Sequence, residues 1–148
     1  MFFKNFSAKN RKSKQNGEKT VTIGKLGEDA AVDFLRHNGY TVIERNYRAA
    51  RNEIDIIATD KKYIVFVEVK ARTYKKSDEM PYGRPSSAVT EAKKRRTVIA
   101  ANEYLRTHNT RGRQVRLDVI EVFLSPSPSF SETKEVYKIN HIINAFGA

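Results

Sequence analysis

Glu53-Ile54-Asp55-Ile56-Ile57-Ala58-Thr59, followed by Asp60-Lys61-Lys62 and then Tyr63-Ile64-Val65-Phe66-Val67-Glu68-Val69-Lys70-Ala71-Arg72, is the stretch that decides the fold. Both halves are rich in β-branched and aromatic residues, which favour strands. A tight turn across Asp60 and Lys61 makes them an antiparallel hairpin. In that register Ile56 faces Val65 and Ile54 faces Val67. One face then carries Ile54, Ile56, Ala58, Tyr63, Val65, Val67 and Val69, a continuous apolar surface that supports the register. The other face places Asp55 opposite Phe66 and Glu53 opposite Glu68, with Lys70 following Glu68 by two. Neighbours on a sheet face lie roughly 5–8 Å apart, so three carboxylates converge at the end away from the turn.

Further elements follow from the hairpin outward. Residues 23–38 read as a helix, with Leu26, Gly27, Ala30, Ala31, Phe34 and Leu35 on one side. Gly39 stands just past its end, where a left-handed residue is usual. Glu28 lies at the edge of the apolar stripe, leaning over whatever the helix packs on. Residues 40–44 read as a first strand. Pro85, Ser86 and Ser87 introduce a long helix over about 88–107, with a Ser cap and Glu91 in its early turns. Residues 115–124 and 136–139 read as two more strands, and the apolar tail 142–146 as cover for an edge. The order αβββαββ predicts an α/β fold, a mixed sheet flanked by helices.

The chain has 148 residues and a formal net charge of +11. That length suits one domain. It contains no Cys, which excludes a disulfide scaffold, Cys-ligated zinc, an iron–sulfur cluster and a thiol nucleophile and fits the cytoplasm. Apolar runs fall short of the roughly 20 residues that span a bilayer, so no membrane partner is expected. The positive charge is uneven: residues 1–20 hold six bases and one acid, and residues 70–116 hold thirteen bases and four acids. Residues 1–20, without periodicity, read as a disordered basic arm, and 21–148 as the folded domain. Such a charge favours a polyanion.

Three clustered carboxylates repel one another. A hard divalent cation relieves this, as does a protonated carboxyl or a surround of Lys and Arg. Two readings stand side by side: an exposed acidic strand end neutralised by Lys70, Arg72 and Arg51, or a site for Mg²⁺ or Mn²⁺. In the second, Asp55, Glu68 and the Val69 carbonyl are ligands, and Glu53 and Glu28 hold bound waters or a second ion. Lys70 positions or deprotonates a water, or stabilises the phosphorus transition state, as phosphodiester hydrolysis requires. Arg72, Lys75, Lys76 and Arg84, in or beside the polar loop 73–83, and Lys93 and Arg96 on the long helix are candidate phosphate contacts, with Tyr74 and Tyr82 available for base stacking. The loop is the candidate flap over substrate. Arg116 and Asp118 read as a structural ion pair near the site. His37, His108 and His141 are scattered and read as surface or structural residues.

The segments Gly27-Glu28-Asp29-x-Ala31, Arg45-Asn46-Tyr47-Arg48, Asn52 to Ala58, Val65 to Lys70 with Arg72, and Arg116-Leu117-Asp118-Val119 occur in this order. Together, over roughly residues 24–147, they resemble the YraN family of bacterial proteins. That family is grouped with the PD-(D/E)xK nucleases and is similar to archaeal Holliday-junction resolvases. The resemblance implies a restriction-endonuclease-like fold with Asp55, Glu68 and Lys70 as the catalytic set and Glu28 as the acid of the first helix. Asn52 stands where the family pattern has Gly, and Asn also tolerates a left-handed backbone. The expectation is a metal-dependent endonuclease acting on branched or damaged DNA. The competing expectations are a non-catalytic DNA- or RNA-binding module and an accessory interaction protein. Resolvases act as two-fold dimers, so a homodimer is also admitted, with the long helix or the tail as its seam.

Overall fold

In the computed structural model the described residues are 23–74, 89–125 and 136–146. The expected basic arm, most of the candidate flap with Lys75 and Lys76, the adjoining Arg84, and the Ser-Pro stretch after Ser125 lie outside them. Helix α1 covers 23–37. The remaining elements are β1 (Thr41–Ala49), β2 (Asn52–Thr59), β3 (Tyr63–Thr73), α2 (Glu91–Thr107), β4 (Gln114–Leu124) and β5 (Val136–Ile142). The strands form one sheet in the order β1-β2-β3-β4-β5. β3 and β4 pair in parallel across α2, whereas β1–β2, β2–β3 and β4–β5 are antiparallel. This is the mixed sheet flanked by two helices, in the order αβββαββ, that the sequence predicts.

A hydrophobic layer fills each face. Under α1, Ala31, Val32 and Leu35 meet Ile56, Ala58, Val65, Val67, Ile120, Val122 and Leu124. Under α2, Ala100, Ala101 and Tyr104 meet Ile54, Ile57, Ile64 and Phe66. Burying each Leu, Ile or Phe contributes about 1.5–3 kcal/mol. α1 ends as expected: Gly39 takes φ 86°, and the Tyr40 amide returns to the Leu35 carbonyl at 3.0 Å.

Four expectations shift. The hairpin register is displaced by two residues: Ile56 pairs with Val67 and Ala58 with Val65. Asp60 is the cause. Its side chain accepts from the amides of Lys62 at 2.8 Å and Tyr63 at 2.6 Å, so the turn residues are Lys61 and Lys62 rather than Asp60 and Lys61. A two-residue displacement preserves which face each side chain takes on β3. Ile54 nevertheless leaves the face assigned to it and joins the layer under α2. The alternation slips across Asp55, where Asn46 on the adjoining strand takes φ 52° between the pairs Arg45↔Ile56 and Tyr47↔Ile54. Helix α2 starts later than expected, capped by Thr90, whose Oγ1 accepts from the Lys93 amide at 3.1 Å. β1 and β5 both run longer than their apolar residues suggest, because pairing to β2 and β4 carries Arg45–Ala49 and Asn140–Ile142 into the sheet.

Candidate active site

The corrected register changes which carboxylates meet. Regular pairing of β2 with β3 reaches Ile56↔Val67, and one step further brings Asp55 beside Glu68. There the ladder gives way to a side chain: Asp55 Oδ2 accepts from the Val69 amide at 2.8 Å. A carboxylate thus satisfies a backbone donor of the neighbouring strand, fixing Asp55 against Glu68-Val69. Glu68 alternates with Phe66, which packs under α2, and its side chain is only 5% exposed. Burial and then the adjacent Asp55 charge push its carboxyl up to about 7, against the opposing pull of Lys93 and Lys70.

The two Glu68 oxygens have different surroundings. Oε1 has Lys93 Nζ at 3.5 Å and Lys70 Nζ at 3.9 Å. Oε2 is buried and receives no hydrogen bond from a nitrogen or hydroxyl donor. The hydrogen bond Glu68 does make is to the neighbouring Asp55 carboxylate, which favours its protonated form. A buried carboxylate oxygen without a donor costs about 1–3 kcal/mol or more, so its retention calls for a reason.

Glu53 and Glu28 have other partners. Glu53 faces Arg48 at 4.0 Å rather than Glu68. Glu28 accepts from Arg45 at 3.5 Å, and Asp29 accepts from the same guanidinium at 2.8 Å. In the orientation that satisfies its amide, the Asn46 nitrogen donates to Glu28 at 3.3 Å and to Glu53 at 3.2 Å. Asn46 therefore ties α1 to β2. The three-carboxylate cluster expected of Glu53, Asp55 and Glu68 resolves into an Asp55–Glu68 pair and a Glu28–Asn46–Glu53 bridge. Gly27 sets the approach of α1: a Cβ there would collide with the Ala71 side chain on β3.

Among the described residues no group of three or more His, Asp or Glu side chains is arranged to hold a metal ion. Mg²⁺ commonly uses one or two carboxylates and keeps several waters. The Asp55–Glu68 pair fits that smaller donor set, with Glu68 Oε2 the oxygen left to be satisfied.

Of the expected phosphate contacts, Arg72 lies beside Glu121 at 3.8 Å and over the Phe123 ring at 5.2 Å. Arg96 is exposed on α2. Lys93 turns to Glu68, a placement its basic run in the sequence did not reveal.

Arg116 and Asp118 do form an ion pair, at 2.8 Å, but on the opposite face from Glu68. Asp118 alternates with Ile120 and Val122, which pack under α1. It also accepts from His141 Nε2 at 2.7 Å and from the Asn144 amide at 2.9 Å. Arg116 reaches the Tyr40 hydroxyl at 2.6 Å and lies over the Tyr63 ring at 4.9 Å. His141, read as a scattered histidine, is part of this buried clasp. No sequence spacing joins it to Asp118; only the β4–β5 pairing does.

A mixed α/β domain carrying a half-buried Asp55 beside a buried Glu68, with one lysine from the same strand and one from a helix, is the class these elements define. The chain belongs to the family described as Uncharacterised protein family UPF0102, whose pattern matches residues 27–122. The YraN resemblance is met at this level. A UPF0102 protein of Caldanaerobacter subterraneus subsp. tengcongensis is 41% identical over 125 residues, 84% of this chain and 94% of that one. A UPF0102 protein of Chlorobium phaeobacteroides is 38% identical over 125 residues, 84% of this chain and 93% of that one. Among the described residues no helix is long and apolar enough to cross a membrane.

Proposed function

We propose that the protein is a divalent-metal-dependent DNA endonuclease that hydrolyses phosphodiesters in branched or damaged DNA. The observation that carries this reading is the Asp55–Glu68 pair, two carboxyls in contact with no donor on the buried Glu68 Oε2 and lysines on its other oxygen. Asp55 and Glu68 hold Mg²⁺ or Mn²⁺, with the Val69 backbone alongside. A bound divalent cation lowers the pKa of water and offsets charge on phosphate. Lys70, 41% exposed, reaches from the same strand face and orients the attacking water or the phosphate oxygens. A pure binding module would gain by losing the two acids, which repel phosphate.

The test is cleavage of single-stranded, duplex, flap and four-way-junction DNA with Mn²⁺ or Mg²⁺. Cutting of at least one substrate is expected, lost in Asp55→Ala, Glu68→Ala and Lys70→Ala while binding persists. No cleavage of any substrate with either metal rejects the enzyme reading. Cutting that survives in all three variants rejects the site. Binding should weaken steeply with salt through counterion release.

A further inference from the structure

Lys93, a candidate phosphate contact from the sequence, makes the closest cationic contact to Glu68. Its Nζ stands 3.5 Å from Oε1, against 3.9 Å for Lys70, and its side chain is 28% exposed against 41% for Lys70. It is held there from two directions. The Thr90 cap fixes the first turn of α2 through the Lys93 amide, and α2 packs its Ala100, Ala101 and Tyr104 onto the sheet. The carboxylate it faces is more than nine-tenths buried, and no donor reaches its Oε2.

A metal ion at Asp55–Glu68 and the Lys93 ammonium are like charges competing for one carboxylate. We propose that Lys93 is a positioning residue that serves as the resident counter-ion of Glu68 until a divalent cation takes that carboxylate, and then turns to a phosphate oxygen of the substrate. The proposal rests on the metal-site reading. Lysine suits the role because its ammonium is a compact charge on a flexible stem, able to exchange one anion for another. The proposal separates the two lysines: Lys70 belongs to the strand that carries Glu68, whereas Lys93 belongs to a helix and couples the seating of α2 to the state of the site.

The test measures Mn²⁺ binding by the full-length protein, from the electron paramagnetic resonance signal of free Mn²⁺, alongside DNA cleavage. Lys93→Gln should bind Mn²⁺ at least about threefold more tightly, because a competing charge is gone. The same variant should cleave at least about tenfold more slowly, because a phosphate contact is gone. Lys93→Met, which keeps the apolar stem, should show the same opposed changes. Lys93→Arg should restore the weaker Mn²⁺ binding. Arg106→Gln, which removes a charge from the far end of α2, should leave both unchanged. Folded Lys93→Gln and Lys93→Met proteins that bind Mn²⁺ no more tightly than wild type would overturn the proposal while leaving the metal site standing. Wild-type protein with no Mn²⁺ binding sensitive to Asp55→Ala would overturn the metal site itself, and this proposal with it.

Discussion

Glu68 and Asp118 are both buried carboxylates, and their surroundings push them in opposite directions. Burial and Asp55 raise the Glu68 carboxyl from 4.5 to about 7. A raised folded-state value means that the protonated form is favoured by folding, so its contribution to stability is full below about 4.5 and is lost as pH rises through 7. Metal-free Glu68→Gln should therefore lose less stability than wild type between these values, and should be the more stable protein at pH 8. Parallel urea-melt profiles for the two proteins across this range would contradict that. For Asp118, burial alone raises the carboxyl, but hydrogen bonds from His141, Arg116 and the Asn144 amide, with the Arg116 charge, hold it below the ordinary carboxylate range. Its contribution is present above the usual carboxylate value and is lost as pH falls through the lowered one. Asp118→Asn should cost roughly 3–5 kcal/mol at neutral pH, because it leaves Arg116 buried without its counter-charge. A denaturant midpoint within error of wild type would show that the clasp contributes nothing. The sequence displays both carboxylates alternating with apolar residues, but it does not display the partners that set their opposite behaviour. Those partners come from β2 for Glu68, and chiefly from β5 and the turn after it for Asp118.

At the scale of elements, Gly27 is where α1 touches β3. The added methyl of Gly27→Ala would meet Ala71, so the helix must lift or the strand must yield. Overpacking of this kind typically costs about 1–3 kcal/mol. Because Glu28 follows directly, the same displacement should loosen its contacts with Arg45 and Asn46. Gly27→Ala combined with Ala71→Gly should recover most of the loss; if the double variant is no more stable than the single one, this contact does not set the helix position. The helices and strands themselves were legible from periodicity, and so was the mixed sheet. The register was not, because it turned on two amide hydrogen bonds to Asp60 rather than on the apolar pattern, which is satisfied equally by either alignment. The error spared Asp55, Glu68 and Lys70 as a group, since both alignments keep them on one end of one hairpin. It misplaced Glu53, which the observed alignment turns toward Arg48. Lys93 is legible as a candidate phosphate contact but not as the partner of Glu68, because nothing local in a run of four bases distinguishes the residue that faces the sheet from those that face solvent.

For the whole molecule, the parallel pairing of β3 with β4 governs the order of assembly. The hairpin of β2 and β3 closes over the turn at Lys61-Lys62, whereas β4 can join only after the segment containing α2 has crossed the sheet. Hairpins form in about 1–10 μs, and pairings distant in sequence are slower because loop closure precedes their reward. Asp55 and Glu68 therefore meet early, as neighbours on a nascent hairpin, and spend part of folding without the helix-borne lysine. Pulse-labelled hydrogen exchange should find the β2–β3 amides protected ahead of those in β4 and β5, and simultaneous protection would refute this order. The parallel crossover thus separates in time the two halves of one site: the hairpin brings Asp55 to Glu68, and the later seating of α2 brings Lys93.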